Sequence, residues 1–118
     1  MENRLGNKRR KVIKSHSIKT SRVIGEAVYL CRLHKPDLGN HIWVNSVGLI
    51  HEICERVGFT ADMAKVPGRP YIMDCWDFLR RRLETPLGKK YFRKEKILSV
   101  GMTSKKRYHT IYFLRENE

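Results

Sequence analysis

Two stretches in the first half of the chain place apolar residues at helical spacing, and each predicts a helix. The first stripe consists of Ile24, Ala27, Val28 and Cys31. It predicts a helix over residues 21–34, which ends at Lys35-Pro36 because the residue before a proline avoids the helical region. The second stripe consists of Val47, Ile50, Ile53, Cys54 and Val57. It predicts a helix over residues 46–57 that is capped by Asn45 and terminated by Gly58.

A third helix is predicted over residues 70–84, because Pro70 suits a first helical position and Thr85-Pro86 ends the pattern. The expected buried stripe is Ile72, Cys75, Trp76, Leu79 and Leu83. This stripe directs four charged residues towards solvent, namely Asp74, Asp77, Arg81 and Glu84. Asp77 and Arg81 stand one turn apart, so we expect them to pair.

Three segments have the composition of β-strands. Residues 41–44 form a short β-prone run, residues 96–102 alternate in part, and residues 108–114 are rich in aromatic and β-branched side chains. Residues 103–107 join the last two segments and predict the tip of a hairpin, with Lys105, Lys106 and Arg107 in succession.

The order helix, short strand, helix, turn, helix and two-stranded hairpin resembles a winged-helix domain. The resemblance covers residues 21–114, and it is carried by residues 41–44, 47–58, 70–83 and 97–114. It implies an α+β winged helix-turn-helix fold with three helices and a C-terminal two-stranded hairpin, the wing. It also implies binding to duplex DNA, with the third helix in the major groove and the wing on the backbone or in the minor groove.

Charge is distributed unevenly along the chain. Residues 1–19 hold seven basic and one acidic residue (+6), residues 20–86 hold nine and eight (+1), and residues 87–118 hold nine and three (+6), which gives the net charge of +13. Clustered positive charge attracts polyanions, and nucleic acid is the commonest of them. We therefore expect a flexible basic arm over residues 1–18 and a domain over residues 19–118.

The candidate nucleic-acid contacts form three groups. The arm contributes Lys8, Arg9, Arg10, Lys11 and Lys14, as a tether on the duplex or as a nuclear localisation signal. The entrance of the third helix contributes Lys65, Arg69 and Tyr71, which are expected to make the base contacts because the carboxylates further along that helix would repel phosphates. The C-terminal segment contributes Lys89, Lys90, Lys105, Lys106 and Arg107 for the phosphates.

Four aromatic residues interleave with the charges of the C-terminal segment: Tyr91, Phe92, Tyr108 and Tyr112. Aromatic residues in strands are expected to pack on the helices. Stacking on unpaired bases is the alternative interpretation.

Two other function classes fit the same sequence. A structural RNA-binding subunit of a ribonucleoprotein particle, such as a ribosomal protein, suits a small basic chain equally well. A protein-interaction module would instead expose Trp43, Phe59 and Tyr71 as anchors. The sequence leaves the oligomeric state of the protein open between a monomer and a homodimer.

No catalytic or cofactor motif is recognisable, so we expect neither enzymatic activity nor a cofactor. The pairs Cys31–His34 and His51–Cys54 fit no zinc pattern, and no metal is expected. The three cysteines are instead expected to be buried and reduced, as in an intracellular protein. Without an apolar run long enough for a secretory signal or a membrane span, the expected location is cytoplasmic or nuclear.

Overall fold

The computed structural model describes residues 17–35, 39–43, 46–64, 67–100 and 106–115. In these residues the fold is α+β, with four α-helices and one antiparallel sheet of three strands. The helices are α1 (Thr20–Leu33), α2 (Val47–Val57), α3 (Tyr71–Leu83) and α4 (Pro86–Tyr91), with a 3-10 turn at Ala61–Met63. The strands are β1 (His41–Trp43), β2 (Phe92–Val100) and β3 (Lys106–Leu114).

The first two predicted helices are confirmed, although the N-terminal cap of α2 is Ser46 and not the expected Asn45. Helix α1 buries the predicted residues Ile24, Ala27 and Cys31. Helix α2 ends at Gly58, whose φ of 82° lies in the left-handed region that favours glycine. Val47 was expected in the core, but it opens α2 and is 45% exposed.

Helix α3 buries most of the predicted stripe, and the buried face is wider than predicted. Cys75, Leu79 and Leu83 are buried as expected, and Ile72 and Trp76 are partly buried against the core. Asp74 and Phe78 are buried in addition. Phe78 stacks on Phe59 with ring centroids 4.3 Å apart, and Arg69 lies beside the Asp74 carboxylate. The expectation that Asp74 faces solvent was wrong: its carboxylate is buried and lies 3.6 Å from the guanidinium group of the partly exposed Arg69, which precedes the helix.

Helix α4 was not predicted, so the described chain has four helices and not three. Thr85 caps it, since its hydroxyl accepts a hydrogen bond of 3.1 Å from the amide of Gly88. Gly88 is buried against the carbonyl groups of Arg82 and Leu83 in the last turn of α3, where a β-carbon would collide with both. The two helices therefore meet at a corner too tight for any side chain.

The sheet has the strand order β1-β3-β2, so β1 adds a third strand to the predicted two-stranded hairpin. Ile42 pairs with Tyr112, and Phe92 pairs with Leu114. These four residues are buried in the core with α1, α2 and α3. Strand β2 begins at Phe92 and not at residue 96, because Phe92 enters the core directly after α4.

The corner at Gly88 yields a stability prediction. We expect Gly88→Ala to lower the free energy of unfolding by about 1–3 kcal/mol, because the added methyl group overpacks against rigid backbone. Urea denaturation measures the change. Gly25→Ala is the matched control: no atom lies within 4 Å of a β-carbon there, so the alanine is expected to stabilise α1 by about 0.5–1 kcal/mol. Equal stability of the two variants would contradict the tight corner.

Candidate nucleic-acid interface

The entrance of α3 holds two of the predicted contact residues, and both bind within the protein. Nη1 of Arg69 lies 2.7 Å from Oδ2 of Asp77 and 3.6 Å from Oδ1 of Asp74. The guanidinium group therefore bridges the carboxylates that were expected to repel phosphates. A role of Arg69 in base contact stays a prediction.

Tyr71 lies in an aromatic stack at the same entrance. Its ring centroid is 5.7 Å from that of His51 and 6.0 Å from that of Phe59, with interplanar angles of 20° and 12°. Its hydroxyl donates a hydrogen bond to the Phe59 carbonyl, and burial raises the pKa of the phenol. Tyr71 borders an open cleft of about 580 Å³ between α2 and the 3-10 turn. Lys65, the third residue of this group, lies outside the described residues.

The carboxylates further along α3 form a network with basic side chains. Asp77 lies 3.7 Å from Arg80, which in turn lies 3.8 Å from Glu84. Glu84 also lies 3.1 Å from Nζ of Lys94 in β2. The expected pairing of Asp77 with Arg81 was wrong, because Arg69 and Arg80 hold the Asp77 carboxylate instead. The acidic groups of α3 are thus neutralised by the protein's own cations.

Glu84 anchors the sheet to α3. The hydroxyl of Tyr112 donates a hydrogen bond to its carboxylate. This bond, followed by Lys94 and Arg80, holds the pKa of the Glu84 carboxyl below its usual value against the opposing effect of desolvation. The pKa of Tyr112 is raised, first by burial and then by the neighbouring carboxylate.

The lysines of α4 and β2 are exposed. Lys89 and Lys90 lie in the last turn of α4, and Lys96 follows in β2. Nε of Arg115 donates a hydrogen bond of 3.0 Å to the Lys89 carbonyl, which brings the end of β3 next to this helix. Lys89, Lys94 and Arg115 share the rim of a pocket of about 240 Å³.

Lys94, Lys96 and Arg115 were absent from the predicted contacts. Lys94 and Lys96 alternate with other residues, so their position on one face of β2 could have been predicted once the strand is known to begin at Phe92. The position of Arg115 beside α4 had no signal in the sequence, since it depends on a contact between distant segments.

The predicted hairpin tip is only partly described. Lys106 and Arg107 belong to β3, where they pair with Val100 and Ser99, and not to the connecting turn as expected. Lys105 lies outside the described residues, as do the arm residues Lys8, Arg9, Arg10, Lys11 and Lys14. Their contacts with nucleic acid stay predictions.

The aromatic residues divide between the core and the surface. Phe92 and Tyr112 are buried, as expected for strand residues that pack on helices, whereas Tyr91 and Tyr108 are 38% and 70% exposed. Phe59, expected as an exposed anchor of a protein-interaction module, is only 4% exposed because it stacks between Tyr71 and Phe78.

The cysteines and histidines of the two suspected zinc pairs have other roles. Cys31, Cys54 and Cys75 are buried and form no disulfide, as predicted. His34 lies 3.2 Å from Glu52, and His51 stacks on Tyr71. In the described ranges no three His, Cys, Asp or Glu residues are grouped so as to hold a metal ion.

No helix in the described part of the chain is both long and apolar enough to cross a lipid bilayer. Comparison with known proteins finds no similar family model, curated protein or solved structure. The candidate interface therefore has to be interpreted from its own residues.

The Tyr112–Glu84 bond yields a pH prediction. Because the pKa of Glu84 is lowered on folding, its stabilising effect is complete above about pH 5 and is lost as the pH falls through the folded-state value. We expect Tyr112→Phe to make stability less dependent on pH below about pH 5. Urea denaturation over a pH series measures this.

Tyr108→Phe is the control for this experiment, since it removes an exposed hydroxyl from the same strand. It should leave the pH dependence as it is in the unsubstituted protein. An unchanged acid-range slope in Tyr112→Phe would show that the hydroxyl does not stabilise the Glu84 carboxylate.

Proposed function

We propose that this protein is a winged-helix-like module that binds duplex DNA, mainly through its phosphates, as a transcriptional regulator or an architectural factor. The order of elements supports the winged-helix interpretation, since a short strand precedes α2 and a long hairpin follows the helices. An intracellular location, expected from the sequence, is consistent with this function.

The observation that carries the proposal is the contrast in charge between α3 and the hairpin. Residues 67–85 hold four basic and three acidic residues, a balance of +1, and the acids pair with cations of the protein. Residues 86–100 and 106–115 hold eight basic residues and one acid, Glu95, a balance of +7. A phosphate chain is therefore attracted to α4 and the hairpin more strongly than to α3.

The proposed mechanism follows from this contrast. Phosphates of the duplex bind to Lys89 and Lys90 of α4 and to Lys96 of β2. Further phosphates bind to the basic residues of the hairpin tip, Lys105, Lys106 and Arg107. The arm then follows the duplex through Lys8, Arg9, Arg10, Lys11 and Lys14. The bases are contacted at the entrance of α3 by Lys65, Arg69 and Tyr71, which precede the neutralised carboxylates in the sequence.

Structured RNA is the second candidate, and the network on α3 is the observation that favours it. A helix whose charges are already matched is poorly suited to a major groove, and RNA recognition does not need one. Titration of the intact protein with duplex DNA and with structured RNA, each at two salt concentrations, separates the two. Tighter binding of RNA at matched salt would select the second candidate.

The salt dependence tests the phosphate contacts themselves. With about six phosphates neutralised, log K for duplex DNA should fall against log[salt] with a slope of roughly −5 or steeper. A slope shallower than about −2 would contradict the proposed grip on the backbone.

A paired substitution tests the position of the contact. We expect Lys89→Gln together with Lys90→Gln to weaken duplex binding and to reduce the salt slope by about 2, because each lysine neutralises one phosphate. Fluorescence anisotropy of a labelled duplex measures both quantities. Arg81→Gln removes an exposed charge from α3 and serves as the control. A larger loss in Arg81→Gln than in the double variant would place the contact on α3 and contradict the proposal.

A further inference from the structure

The two faces of the β2–β3 hairpin carry different side chains. Successive residues of a strand point to opposite faces. Phe92 is buried in the core with the helices. Lys94, Lys96 and Leu98 follow it at every second position and therefore lie on the same side of β2, which we call the inner face. The contact of Lys94 with Glu84 of α3 agrees with this assignment, since Nζ lies 3.1 Å from the carboxylate.

The opposite side of the hairpin, the outer face, carries balanced charge in its described part. Arg93 and Glu95 belong to this face of β2, and they form an ion pair with each other. The Arg93 guanidinium also lies 4.5 Å from the centre of the Phe113 ring, which belongs to the same face. The excess positive charge of the described hairpin side chains therefore lies on the inner face.

Cations from other elements extend the inner face towards α4. Lys94 shares the rim of the pocket of about 240 Å³ with Lys89 of α4 and with Arg115, which follows β3. Glu84 supplies the carboxylate among the residues that line this pocket, and Lys96 is exposed further along β2. Four cations thus lie around one carboxylate on this side of the molecule, and such an excess attracts a polyanion.

The inner face also holds an exposed apolar pair. Leu98 lies directly opposite Tyr108, whose side chain shares the inner face because it stands four residues from the buried Tyr112. Leu98 is 46% exposed and Tyr108 is 70% exposed. Directly opposite residues of an antiparallel pair have β-carbons about 4.5–5.5 Å apart, so the two side chains form one patch. This patch lies two residues beyond Lys96 in the same row.

A lysine beside an exposed apolar pair favours DNA as the occupant. Protein–protein interfaces are depleted in lysine, whereas proteins that bend DNA frequently insert apolar side chains such as leucine between base pairs. Two residues of a strand span about 6–7 Å. The side chain of Lys96 can therefore reach the phosphates that flank a base step entered by Leu98.

We propose that Leu98 and Tyr108 form an apolar wedge that enters a base step of the bound duplex and bends it, while Lys96 binds a phosphate beside that step. Lys89 binds a phosphate further along the backbone. The inference rests on the proposed duplex binding, and it narrows that function to an architectural one, because a wedge unstacks the base pairs and kinks the duplex.

The bend is the direct test. Energy transfer between dyes at the two ends of a duplex of about 25 base pairs reports it, and the duplex contains TA steps because these kink easily. We expect saturation with the intact protein to raise the transfer. Leu98→Thr combined with Tyr108→Thr should lose at least half of the rise, because threonine keeps the β-propensity of the strands but removes the large side chains.

Ile97→Thr is the matched control for the wedge variant. Ile97 is the neighbour of Leu98 in β2 and is 39% exposed, but alternation places it on the outer face. This variant should retain the rise in energy transfer. Urea denaturation of each variant shows whether it is folded under the assay conditions.

Salt dependence separates the lysine from the wedge. The wedge variant should keep the salt slope of the unsubstituted protein, because the slope counts neutralised phosphates. Lys96→Gln should reduce the slope by about 1 and should retain the bend at saturation.

Three results would overturn the inference and leave the proposed function intact. They are duplex binding without a rise in energy transfer, a full rise in the wedge variant, and an equal loss in Ile97→Thr. A folded protein that binds no duplex would contradict the proposed function and this inference with it, so the two failures are distinguishable.

Discussion

The packing of Tyr112 against the helices is the constraint on which the sheet depends. The side chain is 1% exposed, its ring lies 6.0 Å from Trp76, and its hydroxyl donates to Glu84. Because strand side chains alternate with a period of two, an inward Tyr112 sets Ile111 and Phe113 outward. The register of β3 with its two neighbours then decides which residues of β1 and β2 share each face.

Tyr112 also joins the sheet to the ion pairs of α3. Glu84 accepts a hydrogen bond from Tyr112 and forms ion pairs with Lys94 of the sheet and with Arg80 of its own helix. Arg69 forms ion pairs with Asp74 and Asp77. The carboxylates of α3 therefore bind the sheet through Lys94 and the segment before the helix through Arg69. The excess positive charge lies on α4 and the hairpin, and that separation is the reason for proposing nucleic-acid binding outside α3.

The main errors of prediction have a common physical origin. Helix α4 is too short to show a helical period, and its tight corner depends on Gly88 meeting α3. Asp74 is buried beside Arg69, a contact that no helical pattern reports. The rings of His41 and Trp43 meet those of Phe113 and His109 only because β1 pairs with β3.

The sequence by itself determined the first three helices, the presence of strand residues at 41–43, 96–100 and 108–114, the burial of the cysteines and the uneven charge. These properties follow from local periodicity and from the number of charged residues in each segment of the chain. Only the tertiary structure decided which carboxylates are neutralised and which rings face outward. Both depend on contacts between residues far apart in the chain, and such contacts leave no periodic trace in the sequence.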